Sequence, residues 1–135
     1  AVAIGTSHGA YKFKGKADLR HDILREIRQK VKLPLVLHGA SGVPESIVKQ
    51  AEKYGAKLSG VYGVPKRQIK LAIKNGINKI NTDTDLRLAF DAAVRKILVK
   101  KPKDFDPRHI LGPARSEIQK VAEQRIKLFG SGGKG

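Results

Sequence analysis

The chain has 135 residues, of which 40% are hydrophobic and 30% charged, and it contains no cysteine. This length suits one domain with a modest core, and the composition excludes a disordered chain, a membrane-spanning protein and a disulfide scaffold. The 28 lysines and arginines outnumber the 12 aspartates and glutamates, and the resulting net charge of +16 favours anionic partners.

The first predicted element is a buried strand at residues 2–4, because its apolar run is continuous rather than alternating. A helix capped by Asp18 follows, with an apolar stripe at every fourth residue. The stripe consists of Leu19, Ile23, Ile27 and Val31. His21 lies next to Asp22 in this helix and is expected to be exposed on the surface.

A second buried strand is predicted at residues 33–37, and it ends directly before His38. Pro44 is expected in the first turn of the next helix, and Gly55 ends that helix in the left-handed conformation. The histidine and the glycine-rich turn between strand and helix are the first candidate for a functional site.

A further helix is predicted over residues 65–76, followed by a third strand at 77–81 and a longer helix over 86–97. Residues 100–107 form a charged break that contains two prolines, and His109 is expected in the loop after it. Pro113 is expected to begin the last helix, which Gly130 ends. The tail, residues 130–135, is rich in glycine and is predicted to be mobile.

Strands that alternate with helices of ten or more residues predict βαβ units and a parallel sheet. Three such units leave open sheet edges, so we expect them to belong to a larger architecture. The candidates are an open doubly wound sheet and part of a (β/α)8 barrel. The barrel is favoured, because all three polar segments follow the carboxyl ends of strands, where barrel enzymes place their chemistry.

Two histidines come directly after predicted strands, His8 after the first and His38 after the second. Neighbouring strands lie about 4.8 Å apart, so both imidazoles could reach one metal ion if these strands are adjacent. Imidazole nitrogens suit zinc, which in catalytic sites has an open coordination position. Spacing alone leaves two structural histidines as the alternative.

Glycine-rich turns accompany both histidines. Gly9 and Gly39 follow them directly, and Ser41 and Gly42 precede the helix N-terminus at Pro44. Backbone N–H groups in such a turn, together with the helix dipole, bind phosphate well. Further donors are expected at the end of the third strand from Asn81, Thr82, Asp83 and Thr84. A phosphate site is therefore predicted here, with an ordinary turn as the alternative.

Five segments of the chain carry a specific resemblance. They are Gly5-Thr6-Ser7-His8-Gly9-Ala10-Tyr11, Leu35-Val36-Leu37-His38-Gly39-Ala40-Ser41-Gly42, Lys79-Ile80-Asn81-Thr82-Asp83-Thr84-Asp85-Leu86-Arg87, Phe105-Asp106-Pro107-Arg108 and Leu128-Phe129-Gly130-Ser131. In this order they resemble class II fructose-1,6-bisphosphate aldolases over the whole chain. The resemblance implies an α/β fold, about the last three βα units of a (β/α)8 TIM barrel plus a C-terminal helix, so that residues 1–135 form one partial-barrel domain.

The resemblance also implies the activity of a metal-dependent lyase. Such a lyase reversibly cleaves fructose 1,6-bisphosphate to dihydroxyacetone phosphate and glyceraldehyde 3-phosphate in glycolysis and gluconeogenesis. His8 and His38 match two ligands of Zn2+, or of another divalent metal, which polarises the ketone of dihydroxyacetone phosphate. A monovalent cation, K+ or Na+, is implied near Gly9 and Gly39. The positions that match binding of this sugar phosphate are Gly9, Gly39, Ala40, Ser41, Asn81, Thr82, Asp83 and Thr84.

Arg108 matches the arginine that reaches the far phosphate of the bisphosphate from a neighbouring subunit, which implies a homo-oligomer. Nothing in the chain matches the family's remaining zinc histidine or the aspartate that handles the proton, so no catalytic acid or base is expected here. A complementary N-terminal half is therefore an expected partner. The alternative is a catalytically inactive half-barrel or a designed scaffold that retains phosphate or zinc binding. Tagatose bisphosphate is a second ketose that fits the same motifs.

The basic residues are spread along every predicted helix, and three tyrosines and four phenylalanines are the aromatic rings available for stacking on bases. We therefore expect no nucleic-acid partner, although a basic nucleic-acid-binding domain stays open as a minor alternative. No stretch predicts a signal peptide or a membrane span, so the expectation is a cytoplasmic protein without a membrane partner. The lack of methionine and the apolar opening residues predict a fragment or an engineered chain.

Overall fold

In a computed structural model of the chain, residues 1–6, 17–58 and 60–134 are described. This part of the chain contains five α-helices and two β-strands. They are α1 (His21–Lys30), β1 (Leu35–Leu37), α2 (Glu45–Lys53), α3 (Lys66–Lys74), β2 (Ile77–Ile80), α4 (Thr84–Lys100) and α5 (Pro107–Phe129). The order of strands and helices confirms the α/β class.

The two strands are parallel neighbours in a register that aligns Leu37 with Ile80. On the other side of β1, Val2 forms an isolated parallel bridge with Leu37, and its N–H donates to the carbonyl of Val36 at 2.9 Å. The predicted first strand is thus reduced to one bridge. Ala3 is exposed, and no further strand among the described residues flanks this segment. The carboxyl ends of all three segments nevertheless lie at one edge of the sheet.

The core lies between the strands and helices α1 and α3. Leu35 and Leu37 are both buried, as the continuous apolar run predicted. The other large members of this cluster are Ile4, Leu19, Leu24, Val64, Ile69 and Ile77. Burial of each such side chain contributes about 1.5–3 kcal/mol relative to leaving it exposed.

Helix α1 differs from its prediction at both its cap and its buried face. Its N-cap is Arg20, without a capping side chain, while the carboxylate of Asp18 accepts a hydrogen bond from Gln68 Nε2 at 2.6 Å. His21 was expected to be exposed, and this is wrong, since the residue is only 9% exposed. Its ring nitrogens contact Gln68 Oε1 and, at 3.4 Å, Asn75 Nδ2. These polar partners, on α3 and at its C-cap, compensate for the loss of hydration when the imidazole is buried. They lie far from His21 in the sequence, so its sequence neighbours did not indicate them.

Helix α5 begins at Pro107, so the prediction that Pro113 begins it is wrong. Asp106 is the N-cap and accepts a hydrogen bond from the N–H of Arg108 at 2.9 Å, and proline suits the first helical position. His109, predicted in a loop, therefore lies in the first turn of the helix. Pro113 lies inside the helix, where it lacks the N–H that the carbonyl of His109 would accept.

The predicted ends of α2 and α5 are confirmed, because Gly55 and Gly130 follow these helices with φ of +93° and +74°. Helix α4 packs against both α2 and α5 on the side away from the main cluster. No helix in residues 1–6, 17–58 and 60–134 has the length and apolar character needed to cross a membrane.

Candidate substrate and metal site

The parallel register brings His38 and Asn81 into contact at the carboxyl ends of β1 and β2. The backbone N–H of Asn81 donates to the carbonyl of Leu37 at 3.1 Å, which continues the ladder past β2. Asn81 Nδ2 then lies 3.2 Å from His38 Nδ1 and 3.1 Å from Nε2. A neutral imidazole has one acceptor nitrogen, so one of these two contacts can be a hydrogen bond. Two predicted site residues are thus neighbours.

The turn after His38 presents backbone donors. Gly39 has a φ of +61°, a conformation that favours glycine, and Ala40 and Ser41 are buried. None of the hydrogen bonds between described residues uses the N–H groups of Gly39, Ala40 or Ser41. Ser41 Oγ accepts a hydrogen bond from the N–H of Asp83 at 3.4 Å, which joins this turn to the segment after β2.

The segment after β2 adds a buried hydroxyl and a helix N-terminus. Thr82 Oγ1 is buried and has no hydrogen-bond partner among the described residues, which is rare for a buried polar atom. Thr84 is the first residue of the 17-residue helix α4, and Asp83 is its N-cap. The Asp83 carboxylate pairs with Arg87 Nε at 2.8 Å. Donors from the turn and the partial positive charge of α4 therefore meet at one place.

A buried carboxylate fixes the end of the turn. Asp85 is fully buried, and its Oδ2 and Oδ1 accept hydrogen bonds from the N–H groups of Gly42 at 3.1 Å and Val43 at 2.6 Å. Val43 has a φ of +43°, which is unusual for a β-branched residue. The Gly42 amide is therefore not available to a phosphate, because it donates to Asp85.

Arg125 and Gly63 complete this support. Arg125 Nε forms an ion pair with Asp85 Oδ2 at 2.9 Å, although its N–H is not aligned for a hydrogen bond. Its guanidinium packs so closely on Gly42 that a Cβ there would lie 2.7 Å from Arg125 Nη2. A Cβ on Gly63 would overlap the carbonyl carbon and oxygen of Gly42. The turn is thus held by α4, by α5 and by the loop before α3.

The sequence did not single out Arg125 from the other basic residues that are spread along the predicted helices. The residue is only 8% exposed. The available signal was its spacing of four residues from Val121, a buried position on the same face of α5. Asp85 is fully buried beside this arginine, which agrees with a structural role.

Arg108 lies apart from the other predicted site residues. Its side chain is 87% exposed at the first turn of α5, where Nη2 is 2.6 Å from Asp106 Oδ2. This hydrogen bond is the main cause that lowers the pKa of Asp106, and it raises the pKa of Arg108. No contact between described residues joins Arg108 to the strand ends, so its predicted role requires another surface or another subunit.

The predicted metal site falls partly outside the described residues. His8 and Gly9 both lie there, so the pairing of His8 with His38 and the monovalent cation near Gly9 stay predictions. Within residues 1–6, 17–58 and 60–134, no group of three or more His, Cys, Asp or Glu side chains could hold a metal ion. His38 is the described residue whose chemistry and place fit the predicted ligand set.

Comparisons with known proteins agree at the levels of sequence and structure. The family model described as "Fructose-bisphosphate aldolase class-II" matches residues 1–134. The fructose-bisphosphate aldolase of Thermus caldophilus is 54% identical over 134 residues, 99% of this chain and 44% of that protein. That of Giardia intestinalis is 47% identical over 135 residues, 98% of this chain and 42% of that protein.

A solved structure gives the same relationship for the fold. The YdjI aldolase from Escherichia coli K12 superposes with a TM-score of 0.59 and 30% identity, covering 88% of this chain and 38% of that one. The chain therefore spans less than half the length of the relatives that it matches. With a family model that covers nearly every residue, the chain belongs to the class II fructose-bisphosphate aldolase family.

Proposed function

We propose that this chain forms the C-terminal part of a (β/α)8-barrel lyase that reversibly cleaves fructose 1,6-bisphosphate into dihydroxyacetone phosphate and glyceraldehyde 3-phosphate. The observation that carries the proposal is the contact of Asn81 with His38 at adjacent strand ends, beside a turn with three amide N–H groups that donate to no described residue. Carboxyl ends of parallel strands are where barrel enzymes assemble their sites. Family membership supplies the reaction class.

The phosphate of dihydroxyacetone phosphate is proposed to bind between the turn and the start of α4. The donors there are the N–H groups of Gly39, Ala40 and Ser41 and the hydroxyl of Thr82, which has no hydrogen-bond partner among the described residues. The N-terminus of α4 adds partial positive charge at Thr84. Neutral donors of this kind recognise a phosphate without needing a lysine in contact with it.

The residues present fit a metal at His38 in part. His38 and the predicted ligand His8 would hold Zn2+ or another divalent ion, which when bound supplies Lewis-acid polarisation of the substrate ketone. A metal would bind the ring nitrogen that carries the lone pair, so that nitrogen could not also accept a hydrogen bond from Asn81. Asn81 would then turn its amide oxygen toward the remaining ring N–H, and this hydrogen bond would fix the orientation of the imidazole.

The rest of the proposal concerns parts beyond this chain. The acid/base aspartate and a third metal ligand are expected in the barrel half that the relatives possess and this chain does not cover. The exposed guanidinium of Arg108 is suited to reach the second phosphate of a substrate in a neighbouring subunit of a homo-oligomer. A monovalent cation near Gly9 and Gly39 and a cytoplasmic, glycolytic role complete the proposal.

A chimera tests the activity. The matching C-terminal segment of the Thermus caldophilus aldolase is replaced by this chain, and cleavage of fructose and tagatose bisphosphates is measured with added zinc. We expect chelator-sensitive cleavage of one of the two. His38→Ala should lower it on the order of a hundredfold or more, because loss of a ligand exceeds the loss of an outer hydrogen-bond partner. His109→Ala, at an exposed position, is the matched control and should leave the rate unchanged.

Two results would count against the proposal. A folded chimera that cleaves neither ketose bisphosphate contradicts the activity, and an active His38→Ala chimera contradicts the metal ligand. The isolated chain should bind dihydroxyacetone phosphate without turnover. Cleavage by the isolated chain would show that the complementary half is not needed, while binding without any activity in the chimera would favour the inactive half-barrel.

A further inference from the structure

A cavity separate from the predicted phosphate site lies between the first turns of α2 and α3 and the last turns of α5. Its volume is about 780 Å3. Five basic side chains line it: Lys66, Arg67, Lys70, Arg125 and Lys127. Among the described residues that line it, none is acidic and none is aromatic. We call it the basic cavity.

The positive charges of the basic cavity are largely uncompensated. The ion pairs between described residues include Lys49 with Glu45, but none involves Lys66, Arg67, Lys70 or Lys127. Several cations around one concave surface focus a positive potential, which attracts anions. Among the cations of the basic cavity, the described residues provide an ion-pair partner for Arg125 alone, with Asp85 behind it, so this arginine closes one side of the cavity as a fixed group.

The placement of the cations disfavours a purely structural explanation. Lys66 and Arg67 occupy the first turn of α3, which contains no acidic residue. Cations at a helix N-terminus are unfavourable, because they repel the partial positive charge of the helix. Helix α2 shows the usual arrangement, with Glu45 in its first turn and Lys53 in its last. Lys66 and Arg67 thus destabilise the helix that carries them, and both line the cavity.

The size and chemistry of the cavity point to one class of ligand. Its volume lies within the roughly 300–1,000 Å3 that is typical of small-molecule sites. The described part of its lining has no aromatic ring on which a base could stack, whereas lysines and arginines suit phosphate groups. We propose that the basic cavity binds a multiply phosphorylated small molecule, held by Lys66, Arg67 and Lys70 on α3 and by Lys127 on α5.

The cavity is also linked to the turn of the predicted substrate site. Arg125 lines the cavity and contacts both Asp85 and Gly42, which define the end of that turn. A ligand phosphate that contacts the guanidinium would therefore act on a group that already fixes the turn. The proposal itself rests on the cavity and does not require the proposed aldolase activity.

The test uses the 135-residue chain and inorganic tripolyphosphate as the probe, measured by isothermal titration calorimetry at fixed ionic strength. The variant Lys66→Gln/Arg67→Gln/Lys70→Gln removes three positive charges from the cavity. The control Arg25→Gln/Lys30→Gln/Lys32→Gln removes the same charge from exposed positions that do not line it. Glutamine is a good helix former, so both variants should stay folded.

We expect saturable binding of one tripolyphosphate, weakened roughly tenfold or more by the cavity variant and changed less than about twofold by the control. Equal weakening in both variants would show a general charge effect and overturn the proposal. Undetectable binding to the unaltered chain would also overturn it. Single-stranded DNA that binds more tightly than tripolyphosphate, with the same dependence on the three α3 residues, would replace the small molecule by a polynucleotide. Orthophosphate should bind more weakly than tripolyphosphate, and equal affinity would contradict a multiply phosphorylated ligand.

Discussion

Two aspartate–arginine pairs lie in two regions of the molecule and have different roles. Asp85 and Arg125, behind the turn after β1, are 2.9 Å apart, with side chains 0% and 10% exposed. Asp106 and Arg108, at the start of α5, are only 2.6 Å apart, but their side chains are 24% and 87% exposed. The shorter contact is therefore the more hydrated one. Burial, rather than distance, should decide how strongly each pair matters.

The two environments also suggest different uses for the arginines. Asp85 of the buried pair accepts hydrogen bonds from the Gly42 and Val43 amides and so restrains the end of the turn at the predicted substrate site. The exposed pair caps a helix through Asp106, while Arg108 can exchange this contact for a phosphate because solvent already surrounds it. Arg125 is thus suited to hold the turn in place, and Arg108 is suited to bind a phosphate.

The largest difference in stability between the two regions is expected when the aspartate of each pair is replaced by alanine in a separate variant. Asp85→Ala leaves Arg125 as an unpaired buried charge and deprives two backbone N–H groups of their acceptor. We expect the free energy of unfolding to fall by about 3–5 kcal/mol. Asp106→Ala removes a partly exposed helix cap, which typically costs about 1 kcal/mol. Urea denaturation of both variants checks this, and similar midpoints for the two would contradict the comparison.

A glycine in each region gives the second contrast. Gly63→Ala places a methyl group against the backbone of Gly42 and 2.6 Å from the nitrogen of Val43, where neither atom can move aside without disturbing the turn. We expect a loss of about 1–3 kcal/mol in the free energy of unfolding.

The matched variant is Gly112→Ala, in the second turn of α5 directly before Pro113. A Cβ at Gly112 meets nothing within 4 Å apart from its two chain neighbours, and alanine is the better helix former by about 0.5–1 kcal/mol. The ring of Pro113 opposes this gain, because a Cβ on the residue before a proline disfavours the helical conformation. We therefore expect Gly112→Ala to change the free energy of unfolding by less than about 1 kcal/mol, a smaller effect than that of Gly63→Ala. Thermal unfolding of both variants checks this, and a larger loss of stability in Gly112→Ala than in Gly63→Ala would contradict the contrast.

The sequence predicted those features that depend on local patterns. The apolar run before His38, the Gly55 and Gly130 helix ends and the convergence of His38 with Asn81 follow from periodicity and from the rule for parallel strands. The resemblance to class II aldolases, which the comparisons confirm for the family, added the expected ligands and substrate.

The features that the sequence did not predict depend on partners distant in the chain. Burial of His21 requires Gln68, 47 positions away, and burial of Arg125 requires Asp85. A lone histidine or arginine in a basic helix gives no sign of such a partner. The start of α5 is a different case, because it follows from a local pattern. Asp106 followed by Pro107 is a typical helix start, but the prediction placed the start at Pro113 instead.

The smallest expected effect is confined to the exposed pair and concerns the titration of the Asp106 carboxyl group. The side-chain hydrogen bond from Arg108, followed by its backbone N–H, holds the pKa of Asp106 below the ordinary value. Because the pKa of Asp106 is lower in the folded than in the unfolded chain, the ionised carboxylate stabilises the fold fully above its unfolded pKa of about 4. This stabilisation is lost as the pH falls through the folded-state pKa. The first turn of α5 should therefore loosen only below about pH 4.

NMR titration of the Asp106 carboxyl carbon measures this directly. Arg108→Ala removes the larger cause but keeps the backbone N–H, so the pKa of Asp106 should rise toward, and stay slightly below, its ordinary value. Arg115→Ala, an exposed arginine further along α5, is the control and should leave the titration unchanged. An unchanged pKa of Asp106 in Arg108→Ala would mean that the guanidinium of Arg108 is not hydrogen-bonded to this carboxylate in solution. Arg108 would then be free at neutral pH, and its recognition of phosphate would require no exchange of partners.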